Sequence, residues 1–420
     1  MRFTIILVLV CLNTPIVEAM EAATSSNSIT LKQVVIKVLE KNPQLSIHDH
    51  EAKAAAARIR QAKQTTPLEL KMEFGNIIGS GDYNGIDQME TTLSLAKLLE
   101  PEAKRASRTN LAKQQTQLLF DEQSSTRLDL LALATEQFVH VVIDQHRLKI
   151  AKDHLTLIKH TNELVAKRVK IGKSHIAEQH RLTIELARAE VDLEHAEHEL
   201  SSSRLKLAIY WGESQADFGE AEADLFLLPS IPPFTKLEGL LDNNPDLVLL
   251  ATEQRIAKTR LRLAQSRRTS DFSVTGGIRY FNNSRDAALM ASISMPLGSH
   301  SRAQPKIDEM QYLAQRESRR FQLQRLTLYS SLYELYQELL HARTAFEALN
   351  QRIIPAAQQA AKDYEQGYQS GRFSLLELNE AQSTLLDARM EVIMTAANYH
   401  RLKIEIERLT GVTLYSGEKS

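Results

Sequence analysis

Strict alternation of apolar and charged residues marks one short stretch of the chain. Residues 68–74 read LELKMEF, so leucine, leucine, methionine and phenylalanine alternate with glutamate, lysine and glutamate. Successive side chains of a β-strand point to opposite faces, so this pattern predicts a strand with one apolar and one charged face. Three later stretches repeat the alternation with defects, and turn-rich segments join them in pairs. The predicted strands are 68–78, 87–98, 271–282 and 287–297.

These strands have the length and the two faces of membrane-spanning strands. A tilted strand of about 9–11 residues crosses a bilayer, and an apolar-out, polar-in alternation is typical of a membrane β-barrel. Because the polar faces carry Glu, Lys and Arg, we expect them to line water. Four strands cannot close a barrel, so the chain must oligomerise; two copies give eight strands, and three give twelve. The residues predicted to face lipid include Leu70, Met72, Leu93, Leu95, Leu289 and Ile293.

Long helices are predicted after each strand pair. Neither glycine nor proline occurs between Glu102 and Ile171, and about 70 helical residues span on the order of 100 Å. After Gly172, residues 173–211 are again free of both. Proline at a helix start places helix beginnings at Pro101 and Pro305. In the second half, Pro355 interrupts the long stretch, Gly367 precedes a turn at Gly371, and a helix is predicted from Arg372 to about Thr410.

Leucine and alanine recur along these helices at three- and four-residue steps, which predicts a coiled-coil-like seam between antiparallel partners. Two helical hairpins therefore reverse at Gly172 and Gly371, since glycine tolerates the backbone angles of a tight reversal. We expect both reversals at the same end of the molecule, far from the strands. The clearest seam positions are Leu182, Leu186, Ala189, Leu193, Ala196 and Leu200.

The chain also contains an internal duplication. Asn42-Pro43-Gln44-Leu45 recurs as Asn244-Pro245-Asp246-Leu247 at an offset of 202, and Gly172 and Gly212 match Gly371 and Gly411 at an offset of 199. The matches occur in order along both halves. The predicted organisation is a first helix–strand–strand–helix–helix repeat at 20–212, a proline-rich surface connection at 213–243, a second repeat at 244–411 and a tail at 412–420.

The N-terminus predicts export. Arg2 precedes an apolar run from Phe3 to Leu12, and Val17-Glu18-Ala19 fits a small-residue cleavage site. This order is that of a secretory signal peptide at 1–19. The single cysteine, Cys11, lies inside it, so the mature chain has no thiol nucleophile, disulfide or cysteine-based metal site.

Composition excludes several functions. The formal net charge is −1, whereas a nucleic-acid partner favours a basic excess. No catalytic triad and no glycine-rich phosphate loop is present, so we expect neither an enzyme nor a cofactor. His195-x-x-His198 lies among Glu194, Glu197 and Glu199, and we interpret this run as a solvated helix face rather than a metal site.

The whole pattern resembles the TolC-type outer-membrane efflux channels. Arg168-x-x-x-Gly172-x-Ser174-x-x-x-Glu178 and Gly371-x-x-Ser374-x-x-Glu377 resemble the periplasmic hairpin tips of that family. Ser294-Met295-Pro296-Leu297 resembles its strand-ending Pro-Leu. Lys104-Arg105-x-x-Arg108 resembles the motif of the heavy-metal, cobalt–zinc–cadmium branch, although Glu102-Ala103 stands where that branch has a glycine pair.

The resemblance implies a homotrimer in the outer membrane, with a twelve-stranded barrel and a tunnel of twelve helices extending into the periplasm. Such a protein is a passive duct that works with an inner-membrane pump and a periplasmic adaptor. It also implies that the tip residues face the adaptor and that Glu377 and Glu380 ring the periplasmic mouth. Heavy-metal cations are the expected cargo, with drugs or other organic solutes as an alternative. A soluble periplasmic coiled-coil scaffold is the alternative from another class.

Overall fold

The computed structural model describes residues 28–412, so the predicted signal peptide and residues 413–420 of the predicted tail lie outside the described part. Helices dominate, with one larger sheet and one small one. The helices are α1 Leu31–Lys41, α2 Pro43–Lys63, α3 Glu102–Lys170, α4 Ile176–Ile209, α5 Phe234–Glu238, α6 Pro245–Ser266, α7 Ser299–Ala348, α8 Ile354–Gln369 and α9 Leu375–Thr410. The strands are β1 Ile29–Thr30, β2 Leu68–Gly75, β3 Glu90–Leu99, β4 Ala221–Glu222, β5 Phe272–Phe281 and β6 Asp286–Ser294.

The four long strands form one antiparallel sheet in the order β2-β3-β5-β6, which confirms the four strands predicted from the alternation. Strands β2 and β3 form one hairpin, and β5 and β6 form the other. The pairing of β3 with β5 joins the two halves of the chain. Within residues 28–412, neither β2 nor β6 has a partner on its outer edge.

Two helical hairpins extend from this sheet, as predicted. Helix α3 runs unbroken for 69 residues, and its chain reverses at Gly172, where φ is +71°. In the second half, α7 continues through a π-helical segment at Leu349–Ile353 into α8, and the chain reverses at Gly371 with φ +78°. Only glycine adopts such positive φ angles without strain, so the two glycines determine where the helices end.

The structure corrects the predicted effect of Pro305 and refines that of Pro355. Helix α7 begins at Ser299 rather than at Pro305, because Gly298 at φ +80° turns the chain into the helix earlier. Pro305 then lies inside the helix, where its nitrogen cannot donate to the Ser301 carbonyl and its ring presses on that carbonyl. Pro355 does mark an interruption of the α-helix, as predicted, but the interruption is a π-helical segment rather than a break. A proline pushes away the carbonyl four residues earlier, and here that carbonyl belongs to the wider π-helical segment, which leaves room for it.

The segment 213–243, predicted to be a surface connection, is exposed or half-buried over most of its length but is anchored at a few points. Strand β4 in this segment pairs in parallel with β1. Phe218 and Leu225 are buried in the main core cluster beside Trp211 and Phe138. Only short elements form here, β4 and α5, and a few apolar side chains of the segment pack onto the long helices. The segment therefore anchors the chain's described beginning to the middle of the helical body.

The duplicated Asn-Pro motifs perform the same task twice. The Asn42 side chain caps α2 with its oxygen, and its amide nitrogen donates to the Tyr210 carbonyl at the end of α4, at 2.7 Å. Asn244 caps α6 in the same way and donates to the Leu409 carbonyl at the end of α9, at 2.8 Å. Each asparagine thus joins the start of one helix to the end of another within its own half, which confirms the duplication at the level of hydrogen bonds.

Candidate functional site

One face of the sheet is apolar and open. The strand register places Met72, Leu93, Ile278 and Leu289 in one row across all four strands. The next row joins Leu70, Leu95, Gly276 and Ala291, and the one after it includes Ile293. All six residues predicted to face lipid therefore lie on the same face, and all are exposed, with Leu289 at 87% and Ile293 at 77%.

The opposite face carries the charges. Lys71 and Glu73 form an ion pair at 3.0 Å, and Arg279 pairs with Glu90 at 3.0 Å. The Arg279 side chain also donates to the Thr92 hydroxyl at 3.0 Å. An outward apolar band with a polar interior is the arrangement of membrane-spanning strands. None of the helices within residues 28–412 has a segment both long and apolar enough to cross a membrane.

The Lys104-Arg105-x-x-Arg108 motif ties the helices to the sheet. The Lys104 ammonium contacts Asp271, which precedes β5, at 2.7 Å. Arg108 donates to both oxygens of Glu100, at 2.5 and 3.1 Å. It also donates to two carbonyls at the end of α2, those of residues 62 and 64. The motif thus fixes the junction between strands and helices, while Arg105 takes no part in this network.

At the far end of the helices, the two hairpin tips are held together by Arg168. Its guanidinium donates to the carbonyls of Tyr368 and Gln369 in the last turn of α8, at 2.7 and 3.2 Å. It also lies over the Tyr368 ring, 4.7 Å from the ring centre, and donates to Ser174 at 3.1 Å. The last carbonyls of a helix lack intrahelical donors and carry its negative dipole end, so a cation is favoured there. This contact confirms that both reversals lie at the same end.

Tyr368 completes the junction between the tips. Its hydroxyl donates to the Glu178 carboxylate of α4 at 3.0 Å, and burial raises the pKa of this phenol. Beneath it, Val165, Leu182, Leu375 and Leu378 form a buried apolar cluster with the Tyr368 ring. Arg168, Ser174 and Glu178 therefore contact the other tip with part of their surface. Gly172 and Gly371 are exposed at the turns.

The predicted mouth acids differ in their bonding. The Glu377 carboxylate accepts from the backbone N–H and the hydroxyl of Ser374, both at 2.8 Å, which forms a capping box at the start of α9. These hydrogen bonds, the backbone one foremost, hold the Glu377 pKa below its usual range. Glu380 is exposed one turn further along α9. Both carboxylates point to solvent in the single chain, but only Glu377 also stabilises the helix start.

The histidine run lies on a solvated helix face. His195 is 4.0 Å from Glu199 and His198 is 3.3 Å from Glu194, and both imidazoles are about three-quarters exposed. Within residues 28–412, no group of acidic and histidine side chains is arranged to hold a metal ion.

Sequence reasoning missed Tyr368 and the packing of Gly367. An added Cβ at Gly367 would lie 2.1 Å from the Phe373 ring, so the absence of a side chain here leaves space for the ring. The available signal was the repeat itself. At the offset of 199, Gly367 matches Arg168, and so large a difference within matched tips indicates different packing.

Comparison with known proteins supplies the family. The sequence profile described as "Outer membrane efflux protein" matches residues 34–213 and 237–412. The chain belongs to this family. Its two matched segments correspond to the two halves of the duplication. The chain is therefore an efflux channel of the outer membrane that extends into the periplasm, and the predicted soluble-scaffold alternative is not supported.

Individual relatives agree over nearly the full length. The chain is 25% identical over 387 residues to the cobalt-zinc-cadmium resistance protein CzcC of Cupriavidus metallidurans, which covers 92% of this chain and 91% of the relative. Among solved structures, CusC superposes with a TM-score of 0.75 at 17% identity, covering 91% of this chain and 92% of CusC. VceC of Vibrio cholerae gives 0.76 at 16% identity, covering 91% and 96%. These superpositions confirm the fold predicted from the sequence.

Proposed function

We propose that the chain is the outer-membrane duct of a tripartite efflux system for heavy-metal cations and that it works as a homotrimer with a twelve-stranded barrel. The duct is passive, so an inner-membrane pump supplies the energy and a periplasmic adaptor joins the two. The chain belongs to the outer membrane efflux family. The trimer, the partners and the cargo are proposed.

The open sheet carries the proposal for the trimer. Lipid offers no hydrogen bonds, so backbone groups at a strand edge must find another strand. Within residues 28–412 of each copy, β2 and β6 have unpaired outer edges, and they run in opposite directions. The β6 edge of one copy can therefore pair antiparallel with the β2 edge of the next. Three copies close twelve strands with Leu289 and Ile293 outside and the Arg279 face inside.

The cargo is proposed from the relative named for cobalt, zinc and cadmium resistance, which aligns with 92% of this chain. A duct takes what its pump delivers, so no resident metal site is required. Six carboxylates from Glu377 and Glu380 in a trimer would favour cations at the periplasmic mouth, because a ring of like charges attracts the opposite ion.

The adaptor is proposed to bind the exposed surface of the tips around Gly172 and Gly371. Ile171 and Leu376 lie beside these turns and are 65% and 57% exposed, so the tips offer apolar side chains to a partner. Arg168, Ser174, Glu178 and Ser374 would then set the shape of this surface, since their hydrogen bonds hold the tips.

Two substitutions on neighbouring positions test the barrel. Ile293→Arg places a charge on the lipid side of β6; such a charge costs roughly 2–4 kcal/mol at the bilayer midplane and less towards the strand end, where Ile293 lies. Ser292→Arg is the matched control, because it places the same charge on the opposite face. Chemical cross-linking in detergent should give a trimer for the natural protein and for Ser292→Arg, with much less for Ile293→Arg. A monomer in all three, or equal loss in both variants, would contradict the trimer or the strand orientation.

The cargo is tested separately in cells that depend on this duct. Its deletion should increase sensitivity to cobalt, zinc and cadmium salts, and Ser292→Arg should restore tolerance. Sensitivity to organic drugs alone would contradict the cargo and leave the duct in place.

A further inference from the structure

The base of the sheet carries a cluster of cations that the junction network does not use. Lys63 ends α2, and Arg105 and Lys113 lie on the first three turns of α3. No carboxylate of the described residues lies within salt-bridge distance of these three side chains. By contrast, Lys104 and Arg108 on the same helix each bind an acid. The three cations therefore have charge available for another partner.

These side chains line one open cavity of about 290 Å³ between the end of α2 and the start of α3. The α3 wall of the cavity is a single helical face, because its residues recur at three- and four-residue steps. Glu102 is the only acid in the lining, so the cavity has a positive balance. Its lining includes Lys63, Glu102, Arg105, Thr109, Asn110 and Lys113.

The strand register indicates that the cavity opens to the lipid side. Asp271 and Glu100 continue the polar-face alternation of β5 and β3, so the Lys104 and Arg108 side chains that bind them lie on the lumen side. Lys113 follows Lys104 by nine residues, which is two and a half helical turns, and therefore points to the opposite side.

The cavity also continues the apolar face of the sheet. Helix α3 begins three residues after β3 ends, so its first turns lie just beyond the hydrocarbon-facing strands. Lys97 lies on the apolar face near this end of β3, in the row with Leu68 and Val274, and its ammonium can extend to the lipid headgroups. The polar interface of a bilayer extends several ångströms beyond the hydrocarbon on each side, which is the level of Arg105.

From this placement we propose that the cavity is a binding site for the headgroup of an anionic phospholipid in the periplasmic leaflet. Arg105 presents a planar fork of N–H donors that matches a phosphate, and the two lysines add point charges. The Asn110 amide can donate to headgroup oxygens. The acyl chains would lie along the apolar face of the sheet above the cavity.

The test compares lipid binding by the full-length trimer and a matched pair of variants. The site variant combines Lys63→Gln, Arg105→Gln and Lys113→Gln. The control combines Lys152→Gln, Lys159→Gln and Lys170→Gln, three exposed positions on the far part of α3. Mixed micelles contain phosphatidylglycerol and phosphatidylethanolamine with identical acyl chains, and native mass spectrometry counts each lipid on the trimer.

The natural protein and the control variant should retain phosphatidylglycerol in preference to phosphatidylethanolamine. Each cation near an anionic lipid contributes roughly fivefold in affinity, so the site variant should lose most of this preference. An unchanged preference in the site variant would overturn the proposal. If millimolar inorganic phosphate displaced phosphatidylglycerol from the trimer, the cavity would be a phosphate site that does not recognise lipid. This result would also overturn the proposal.

A second measurement does not depend on the variant's assembly. In nanodiscs, the Lys63 and Lys113 amines of the natural protein should react more slowly with an acylating reagent in phosphatidylglycerol than in phosphatidylcholine, whose headgroup has no reactive amine. Lys152 and Lys159 serve as internal controls, because they lie far from the bilayer. Equal protection of Lys63 and Lys113 in both lipids would indicate that a neighbouring copy covers the cavity, and would contradict the lipid assignment.

Discussion

The two hairpin tips are built on the same turn, yet they differ at one matched position. In the first tip, the Lys173 N–H donates to the Arg168 carbonyl at 2.9 Å, and in the second the Arg372 N–H donates to the Gly367 carbonyl at 2.8 Å. The backbone geometry is repeated, with glycine at positive φ in each turn. Position 168 carries the largest cationic side chain, and position 367 carries no side chain.

This difference makes the tips complementary. Arg168 extends across to the last carbonyls of α8. Gly367 instead leaves space for the Phe373 ring, whose centre lies 4.6 Å from the centre of the Tyr364 ring. A larger side chain at position 367 would displace the Phe373 ring, because an added Cβ there would lie 2.1 Å from it. The two halves thus share one turn geometry but differ in the side chains that join the tips.

The largest effect is expected from removing the arginine. Arg168→Ala should lower the free energy of opening the paired tips by about 2–3 kcal/mol, because two charge-assisted hydrogen bonds and a ring contact are lost. Hydrogen exchange at the amides of the last turn of α8 measures this opening. Arg168→Lys should recover only part of the protection, because an ammonium lacks the planar fork. Unchanged exchange in the second tip would show that Arg168 does not join the tips.

The turn glycines should behave alike in the two tips. An added Cβ at Gly172 or Gly371 meets no atom within 4 Å, so only the strain of positive φ remains. Gly172→Ala and Gly371→Ala should each cost about 1–2 kcal/mol of unfolding free energy. Helical circular dichroism during thermal unfolding measures the loss, and asparagine at either position should cost less. A difference above about 1 kcal/mol between the two tips would contradict the repeated turn.

The parts of this structure that were predicted from sequence are those with local causes. The alternation at 68–74 and in the three later stretches predicted the four strands and the shared face of Leu70 and Ile293. The two-residue period of a strand can be recognised without tertiary information. Gly172 and Gly371 marked the reversals for the same reason. Pro305 misled, since Gly298 starts the helix before it, whereas Pro355 correctly marked the interruption but not its π-helical form.

The tip contact could not be predicted in this way. Arg168 and Tyr368 are 200 residues apart, and nothing near either of them indicates the other. The roles of Glu178 and Ser174 in the same cluster follow from that pairing. Similarly, the apolar residues of 213–243 gave no periodic signal, because the spacing of buried residues in an irregular segment follows neither the helical nor the strand period.

A smaller effect on stability is expected from Gly367→Ala at the second tip, and its sign should depend on whether the Phe373 ring is present. Gly367→Ala would force the Phe373 ring away from its site, since the added Cβ lies 2.1 Å from the ring. The ring is 38% exposed and can move, so the cost should be only about 1 kcal/mol. In a Phe373→Ala background the same substitution should stabilise α8 by a similar amount, because alanine favours a helix over glycine. Thermal unfolding of the natural protein, the two single variants and the double variant measures the stability change in each background. Destabilisation by Gly367→Ala in both backgrounds would exclude the ring clash as the cause.

The smallest effect separates the two acids at the second tip, where Glu377 is both a helix cap and a proposed mouth residue. Its folded-state pKa is depressed, so its contribution to the start of α9 is present at neutral pH and is lost as pH falls through that depressed value. The protection factor of the Leu378 amide, which is the intrinsic exchange rate divided by the observed rate at the same pH, should therefore fall in acid in the natural protein, and less so in Glu377→Gln.

Glutamine can still accept the capping hydrogen bonds, so Glu377→Gln removes the charge while α9 keeps its start. If Glu377 and Glu380 ring the mouth, Glu377→Gln and Glu380→Gln should each reduce cation preference in single-channel recordings, and the double variant should reduce it further. If Glu377 acts only as a cap, its substitution leaves selectivity unchanged. Unchanged selectivity in the double variant, with the trimer intact, would contradict the acidic mouth for both residues, because no carboxylate of the proposed ring would then act on the permeating ions.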